Sequence, residues 1–388
     1  MILWNKYFPY ILLLTSFMVG WLFFGLVIRW GIHTDIQTHS RIVILFINQG
    51  SFPIPPLYYA SIYLLSGLST SVYTINKAAI LVLSFALSMK FWATYQCAKY
   101  LDNNQNKRLI LLSFISFTLL FIAPIFYDLT TRWFYLGRLG ITIWHNSTTI
   151  AVMPFVVWLF YYSLKYLDDS DSTPQKYIFI ILIMGIFNLL IKPSFLFAFI
   201  PIFPLMVLFR EGFSTKFWIS VSISIFLFSM ILLQYYMIYH TQLMSVVYQN
   251  DQRGVGIALF KVWNMYSKNK VIDFLVSLLF PILCGLLFFK KSLYNVSIQY
   301  ASLLFGFSLM LGILLVENGQ RMAHGNFFWQ IYMSNYLLFF VFSVFLFHQI
   351  RILGFRHYKI ILLSFVWFLH LLSGVLYLFN MLYKKNFY

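Results

Sequence analysis

A helix that crosses a bilayer needs about 20 mostly apolar residues, because backbone groups in lipid find hydrogen-bond partners only within a helix or a closed barrel. Such runs dominate this chain. They fall at roughly 7–30, 72–98, 109–126, 147–167, 177–191, 193–209, 217–238, 271–289, 295–316, 327–349 and 359–380. The pattern predicts an all-α polytopic membrane protein with about 11 transmembrane helices, built as a single transmembrane domain over residues 1–388. The pair 177–191 and 193–209 is short and divided by Lys192-Pro193; the alternative is one broken helix, which changes the count. The first run is too long for a signal-peptide core and has no small-residue cleavage site, so it reads as a retained helix. Only 10% of residues are charged, against about 25% in soluble domains, which excludes a soluble globular enzyme.

The net charge is +17, from 27 Lys+Arg against 10 Asp+Glu. On a soluble protein that balance suggests nucleic acid. Here the cations stand singly between apolar runs. The expected partners are therefore the lipid bilayer, its anionic headgroups or a phosphate-bearing lipid, and no nucleic acid. Cys97 and Cys284 both sit inside apolar runs, so neither a structural disulfide nor a cysteine metal site is expected.

Basic residues in short connections set orientation. Lys99 with Lys107-Arg108, Lys165 with Lys176, Arg210 with Lys216, Lys290-Lys291, and Arg351, Arg356 with Lys359 occupy every second connection. These connections are assigned to the cytoplasm. The longer loops, 31–71, 127–146, 239–270 and the shorter 317–326, then share the extracytoplasmic face. Chemistry is expected there, since elaborate loops on a rigid scaffold carry function. Residues 31–71 form the first extracytoplasmic loop and 239–270 the second large one.

In the first loop, Gln37, Ser40-Arg41 and Gln49 alternate with Ile42, Val43, Phe46 and Ile47. That spacing predicts a short amphipathic helix on the membrane surface. Asp35 lies at or near its N-terminus, and His39 follows one turn later on the same face. A second short apolar helix is expected at about 57–68, after Pro53-Ile54-Pro55-Pro56. Asp35 reads as the cap of the surface helix, as a general base, or as both.

An Asp just after the first helix, an Asp-x-x-x-His step (Asp35, His39), a surface helix ending at Gly50, and Pro55-Pro56-Leu57-Tyr58-Tyr59 leading into a second outer helix together resemble the GT-C superfamily. Its members are multi-spanning glycosyltransferases that use polyprenyl-phosphate-linked sugars. The resemblance is strongest over residues 1–100. It implies a bacterial plasma-membrane (inner-membrane) enzyme of cell-envelope polysaccharide synthesis, with its active site on the extracytoplasmic side. Metal-dependent members carry paired acids in this loop. Asp35 stands between Thr34 and Ile36, so no metal and no other cofactor is assigned.

Further candidates lie on the same face. His145 precedes the helix expected at about 147, as a phosphate donor or a cap. Lys192, beside Pro193, interrupts an apolar stretch; such a lysine needs water or an anion or snorkels to the surface. The resemblance adds weight, since GT-C proteins often carry a Lys-Pro step here. Glu317-Asn318-Gly319-Gln320-Arg321-Met322-Ala323-His324-Gly325 precedes a helix expected at about 327. Arg321 and His324 read as a donor-phosphate site at a helix N-terminus, or Arg321 pairs with Glu317 one turn away. His39, Asp251, Arg253, Arg138 and Glu317 are the acceptor or supporting candidates.

The expected reaction follows from these roles. A sugar moves from a polyprenyl-phosphate donor to a hydroxyl acceptor on a glycan, lipid or protein, with inversion. Asp35 is the catalytic base, and Arg321, His324, Lys192 and His145 bind the donor phosphate. The alternatives are a polysaccharide polymerase or O-antigen-ligase-like enzyme, and a lipid-linked glycan transporter or flippase.

Overall fold

The structure is a computed structural model that describes residues 2–102, 109–126, 137–169, 175–241 and 254–385. In chain order the elements are α1 (Ile2–Arg29), α2 (Asp35–Asn48), α3 (Leu57–Leu65), α4 (Val72–Leu101), α5 (Leu109–Thr118), α6 (Ser147–Asp168), α7 (Gln175–Ile191), α8 (Leu196–Glu211) and α9 (Thr215–Tyr239). There follow β1 (Val255–Ile257), α10 (Lys261–Tyr266), α11 (Lys270–Leu287), α12 (Phe289–Leu293), α13 (Val296–Leu314), β2 (Leu315–Glu317), a 3-10 turn (Gly319–His324), α14 (Trp329–Leu353) and α15 (Tyr358–Lys384).

Among the described residues, nine helices are long and apolar enough to cross a membrane. They are carried by α1, α4, α6, α8, α9, α11, α13, α14 and α15. The other two apolar runs form the shorter helices α5 and α7. The protein is a helical, multi-pass integral membrane protein. Its centre is α6 and α14, whose residues are buried nearly all round. The surrounding helices turn large apolar side chains outward, Leu14, Leu22, Phe209, Ile225 and Phe379 among them. Sustained exposure of this kind suits a lipid environment.

The run 109–126 is not one continuous helix, as the sequence reading had it. Helix α5 stops at Thr118, and the chain continues irregularly to residue 126. Irregular backbone at membrane depth survives only where the protein supplies partners, and it does here. Thr142 donates to the Leu119 carbonyl at 2.9 Å and the Trp144 indole to Leu120 at 3.1 Å. The amides of Ala123 and Ile125 donate to the carbonyls of His370 and Val276, and the Phe126 amide to Ser373. Gly374 permits this contact: a Cβ there would sit 1.6 Å from the Phe121 carbonyl oxygen.

The 177–209 stretch is broken, not continuous. Lys192 is extended (φ −162°, ψ 106°), as the residue before a proline prefers, and Pro193–Phe195 make a 3-10 turn before α8. The surface helix forms as α2, with Ile36, Val43 and Phe46 buried along one stripe. The described parts of the loops gather at one end of the bundle. β1 pairs antiparallel with β2, Val255 opposite Glu317. Trp263 donates to the Gly137 carbonyl at 2.8 Å, and Tyr266 to that of Ala323.

Candidate active site

Asp35 does not cap its helix. The N-cap is Thr34, whose hydroxyl accepts from the Ile36 amide at 3.3 Å, while the Gln37 side chain reaches back to the Thr34 amide at 3.1 Å. This capping box satisfies the first turn and leaves the Asp35 carboxylate for another partner. Thr34 wins the position because it is the extended residue, the geometry an N-cap requires; Asp35 is already helical.

That partner is Asn146, whose Nδ2 donates to Asp35 Oδ2 at 2.5 Å. The same amide's oxygen accepts from Lys192 Nζ at 3.1 Å. One buried amide thus joins a carboxylate and an ammonium from distant parts of the chain. The bridge is rigid because Asn146 is itself the N-cap of α6, accepting from the Thr149 amide at 3.0 Å and its hydroxyl at 2.6 Å.

Lys192 lies in the break between α7 and the 3-10 turn, and its side chain points inward rather than snorkelling. Its other contacts are the Thr148 hydroxyl at 3.2 Å and the Trp329 ring, with Nζ 4.6 Å from the centroid. Burial pushes its pKa down to about 7, although Asp35 and Glu317 draw it back up. An incoming anion would favour the charged form of this lysine.

Two histidines flank this bridge. His39 Nδ1 meets the Tyr59 hydroxyl at 2.6 Å, and the ring packs beside Tyr58 and Tyr59. His145 packs against Trp329 with ring centroids 5.8 Å apart. Burial lowers both to about 4, with Asp35 opposing the shift in each case. Both imidazoles are neutral at neutral pH, so they offer hydrogen bonds rather than charge.

Glu317, Arg321 and His324 form the other wall. Arg321 reaches Glu317 at 3.0 Å, as the one-turn spacing allows. Glu317 also accepts from Tyr239 and from Asn326. The sequence reading placed a phosphate site on Arg321; in the structure the guanidinium spends part of its donor capacity on this ion pair. Gly325 adopts the left-handed conformation at φ +59° that ends the 3-10 turn. The exposed His324 is coupled electrostatically to Arg321, Glu317, Asp35 and Lys192. Its carbonyl accepts from the Trp329 indole at 3.0 Å, which ties this turn to the lysine's aromatic floor.

Seven candidates therefore converge: Asp35, His39, His145, Lys192, Glu317, Arg321 and His324. Arg138 does not join them. It is fully buried and lies 3.4 Å from Asp273, whose other oxygen accepts from Ser267 at 2.5 Å. This arginine anchors the 137–146 segment to α11 instead of facing the cluster. Asp251 and Arg253 lie outside the described residues. Sequence reasoning missed Asn146 as a bridge and Trp329 as the floor under Lys192. A helix-capping signal marks Asn146, but no local pattern reveals partners 111 and 46 residues away.

The arrangement sets a carboxylate that can take a proton beside cationic and neutral donors that can hold an anion. Among the described residues, no three His, Cys, Asp or Glu side chains converge as a metal site requires. Comparison of the chain with protein-family models, with curated proteins and with solved structures finds no match in any of the three.

Proposed function

We propose that this protein is an integral-membrane glycosyltransferase of GT-C type, which moves a sugar from a polyprenyl-phosphate donor to a hydroxyl acceptor on the extracytoplasmic face. The observation that carries the reading is the Asp35–Asn146–Lys192 bridge. A general base and an anion-seeking cation are held a fixed distance apart at the loop-bearing end of a membrane bundle. That is the separation of roles that transfer from a lipid phosphate needs.

In this reading the donor approaches sideways from the bilayer. Lys192 and Arg321 meet its phosphate, with His145 and His324 as hydrogen-bond donors. The charge that grows on the phosphate as the bond breaks is stabilised by groups already in place. An acceptor hydroxyl attacks the anomeric carbon from the opposite side. The new carbon–oxygen bond forms as the anomeric carbon–oxygen bond to phosphate breaks. Asp35 takes the hydroxyl proton, and the polyprenyl phosphate leaves as the anion. Anomeric configuration inverts. The short basic connections at the other end support the orientation by the positive-inside rule.

The test is a donor assay: purified protein, a panel of radiolabelled polyprenyl-phosphate sugars and a mixed envelope-glycan acceptor. Sugar transfer with release of polyprenyl phosphate from one donor is expected. Donors left intact across the panel while a labelled lipid-linked glycan crosses proteoliposomes would replace the enzyme by a flippase.

A further inference from the structure

Helix α14 has 25 residues and so spans about 37 Å, long enough to cross the bilayer. Its first turn lies at the cluster described above, and its last turn lies at the opposite face. There the ends of α11 and α14 and the start of α15 meet the short helix α12 around a pocket of about 420 Å³. We propose that this pocket binds the phosphate headgroup of an anionic phospholipid, independently of the transfer reaction.

Its lining is split by chemistry. Leu286, Phe289 and Leu353 give an apolar side, and Lys290, Lys291 and Lys359 give a cationic one. The lining contains no carboxylate. Among the described residues, three of the carboxylates at this end are paired with other cations: Asp102 with Arg351 at 3.1 Å, Asp168 with Arg210 at 3.0 Å, and Glu211 with Lys216 at 2.7 Å. The three pocket lysines thus concentrate positive charge that no described acid neutralises.

Two of the three are held in place by neutral groups. Lys359 Nζ donates to the Leu287 carbonyl at 3.0 Å and Lys291 Nζ to Gln349 Oε1 at 2.8 Å. Each ammonium keeps further hydrogens for a ligand. Phe289, Tyr294, Phe355 and Tyr358 are exposed around the pocket, as aromatic side chains at headgroup level are. A pocket with cations on one side, acyl-compatible carbon on the other and interfacial aromatics at its rim fits a phosphodiester joined to lipid chains.

The probe is phosphatidylglycerol, with phosphatidylcholine as the zwitterionic control. Each is added to the detergent-purified full chain, and bound lipid is read by native mass spectrometry. Wild type is expected to retain phosphatidylglycerol over phosphatidylcholine. In Lys290→Gln/Lys291→Gln that retention should fall roughly twenty-five-fold, the product of about fivefold for each near-surface cation. Lys290→Glu, a change at an exposed position of α12, gives the same test if the double variant fails to fold. Equal retention of both lipids by wild type, or undiminished phosphatidylglycerol binding by the folded variants, would overturn the proposal. Displacement of the lipid by millimolar inorganic phosphate would assign the pocket to free phosphate and overturn it equally; resistance to displacement supports the lipid.

Discussion

Asn146 offers a substitution that separates structure from site. In Asn146→Ser the hydroxyl can still accept from the Thr149 amide, so α6 keeps a favoured cap. The shorter side chain reaches neither Asp35 nor Lys192, which lie 2.5 and 3.1 Å from the native amide. Each lost hydrogen bond involves a charged group, and such bonds contribute about 1.5–3 kcal/mol. Lys192 keeps Thr148 and the Trp329 face, so the loss should sit towards the low end, at about 3–4 kcal/mol in total. The assay is denaturant unfolding of purified protein for wild type, Asn146→Ser, Asp35→Ala, which removes the acceptor oxygen that Asn146 donates to, and the double variant. If the amide and carboxylate interact as described, the double variant loses less than the sum of the singles, by about 1 kcal/mol or more. Additivity to within about 0.5 kcal/mol would mean that the two side chains do not share a bond, and the bridge would be refuted.

The remaining predictions concern pH, buried charge and topology. His39 and His145 titrate near 4 in the folded protein against an ordinary 6.5. The unfolded chain therefore binds more protons between these values, and the stability present above pH 6.5 should be lost as pH falls towards 4. Melting temperatures across this range should decline less in His39→Gln/His145→Gln than in wild type. Arg138→Gln removes the cation 3.4 Å from the buried Asp273 and should lower unfolding free energy by about 3–5 kcal/mol. Arg321→Gln leaves Glu317 with Tyr239 and Asn326 as donors and removes a guanidinium that is 18% exposed, so it should lower that free energy by less than Arg138→Gln does, and equal losses would contradict the separation of their roles. Gln49→Cys and Lys268→Cys, both at exposed positions, should react with an impermeant thiol reagent in intact cells, whereas Arg356→Cys should not; labelling of Gln49→Cys without Lys268→Cys would break the shared face.

Periodicity and length made the membrane bundle legible, because a spanning helix has to write its apolar requirement into consecutive residues. The break at Lys192-Pro193 was legible for the same local reason: a proline restricts the residue before it. The irregular stretch after Thr118 was not, since its apolar side chains resemble a helix and its partners, His370, Val276 and Ser373, lie far along the chain. At the site, Asp35 and Lys192 stood out as ionisable groups in apolar surroundings. The capping role went to Thr34 because one residue of register separates an extended N-cap from a helical first position. Arg138 stood out only as a supporting candidate, and its partner is Asp273 of α11. An isolated cation signals that a counter-charge exists, without saying where.

The central claim is that Asp35 is the base of a sugar transfer, and Asp35→Asn tests it most directly. The helix cap rests on Thr34 and Gln37, and asparagine keeps the shape of the side chain. Membrane level and unfolding should therefore stay close to wild type, since the new amide oxygen can still accept from Asn146. Asparagine cannot take the acceptor proton, so turnover of the polyprenyl-phosphate sugar found active in the donor panel should fall by roughly two to four orders of magnitude. A folded Asp35→Asn protein that retains most of its transferase activity would contradict the account.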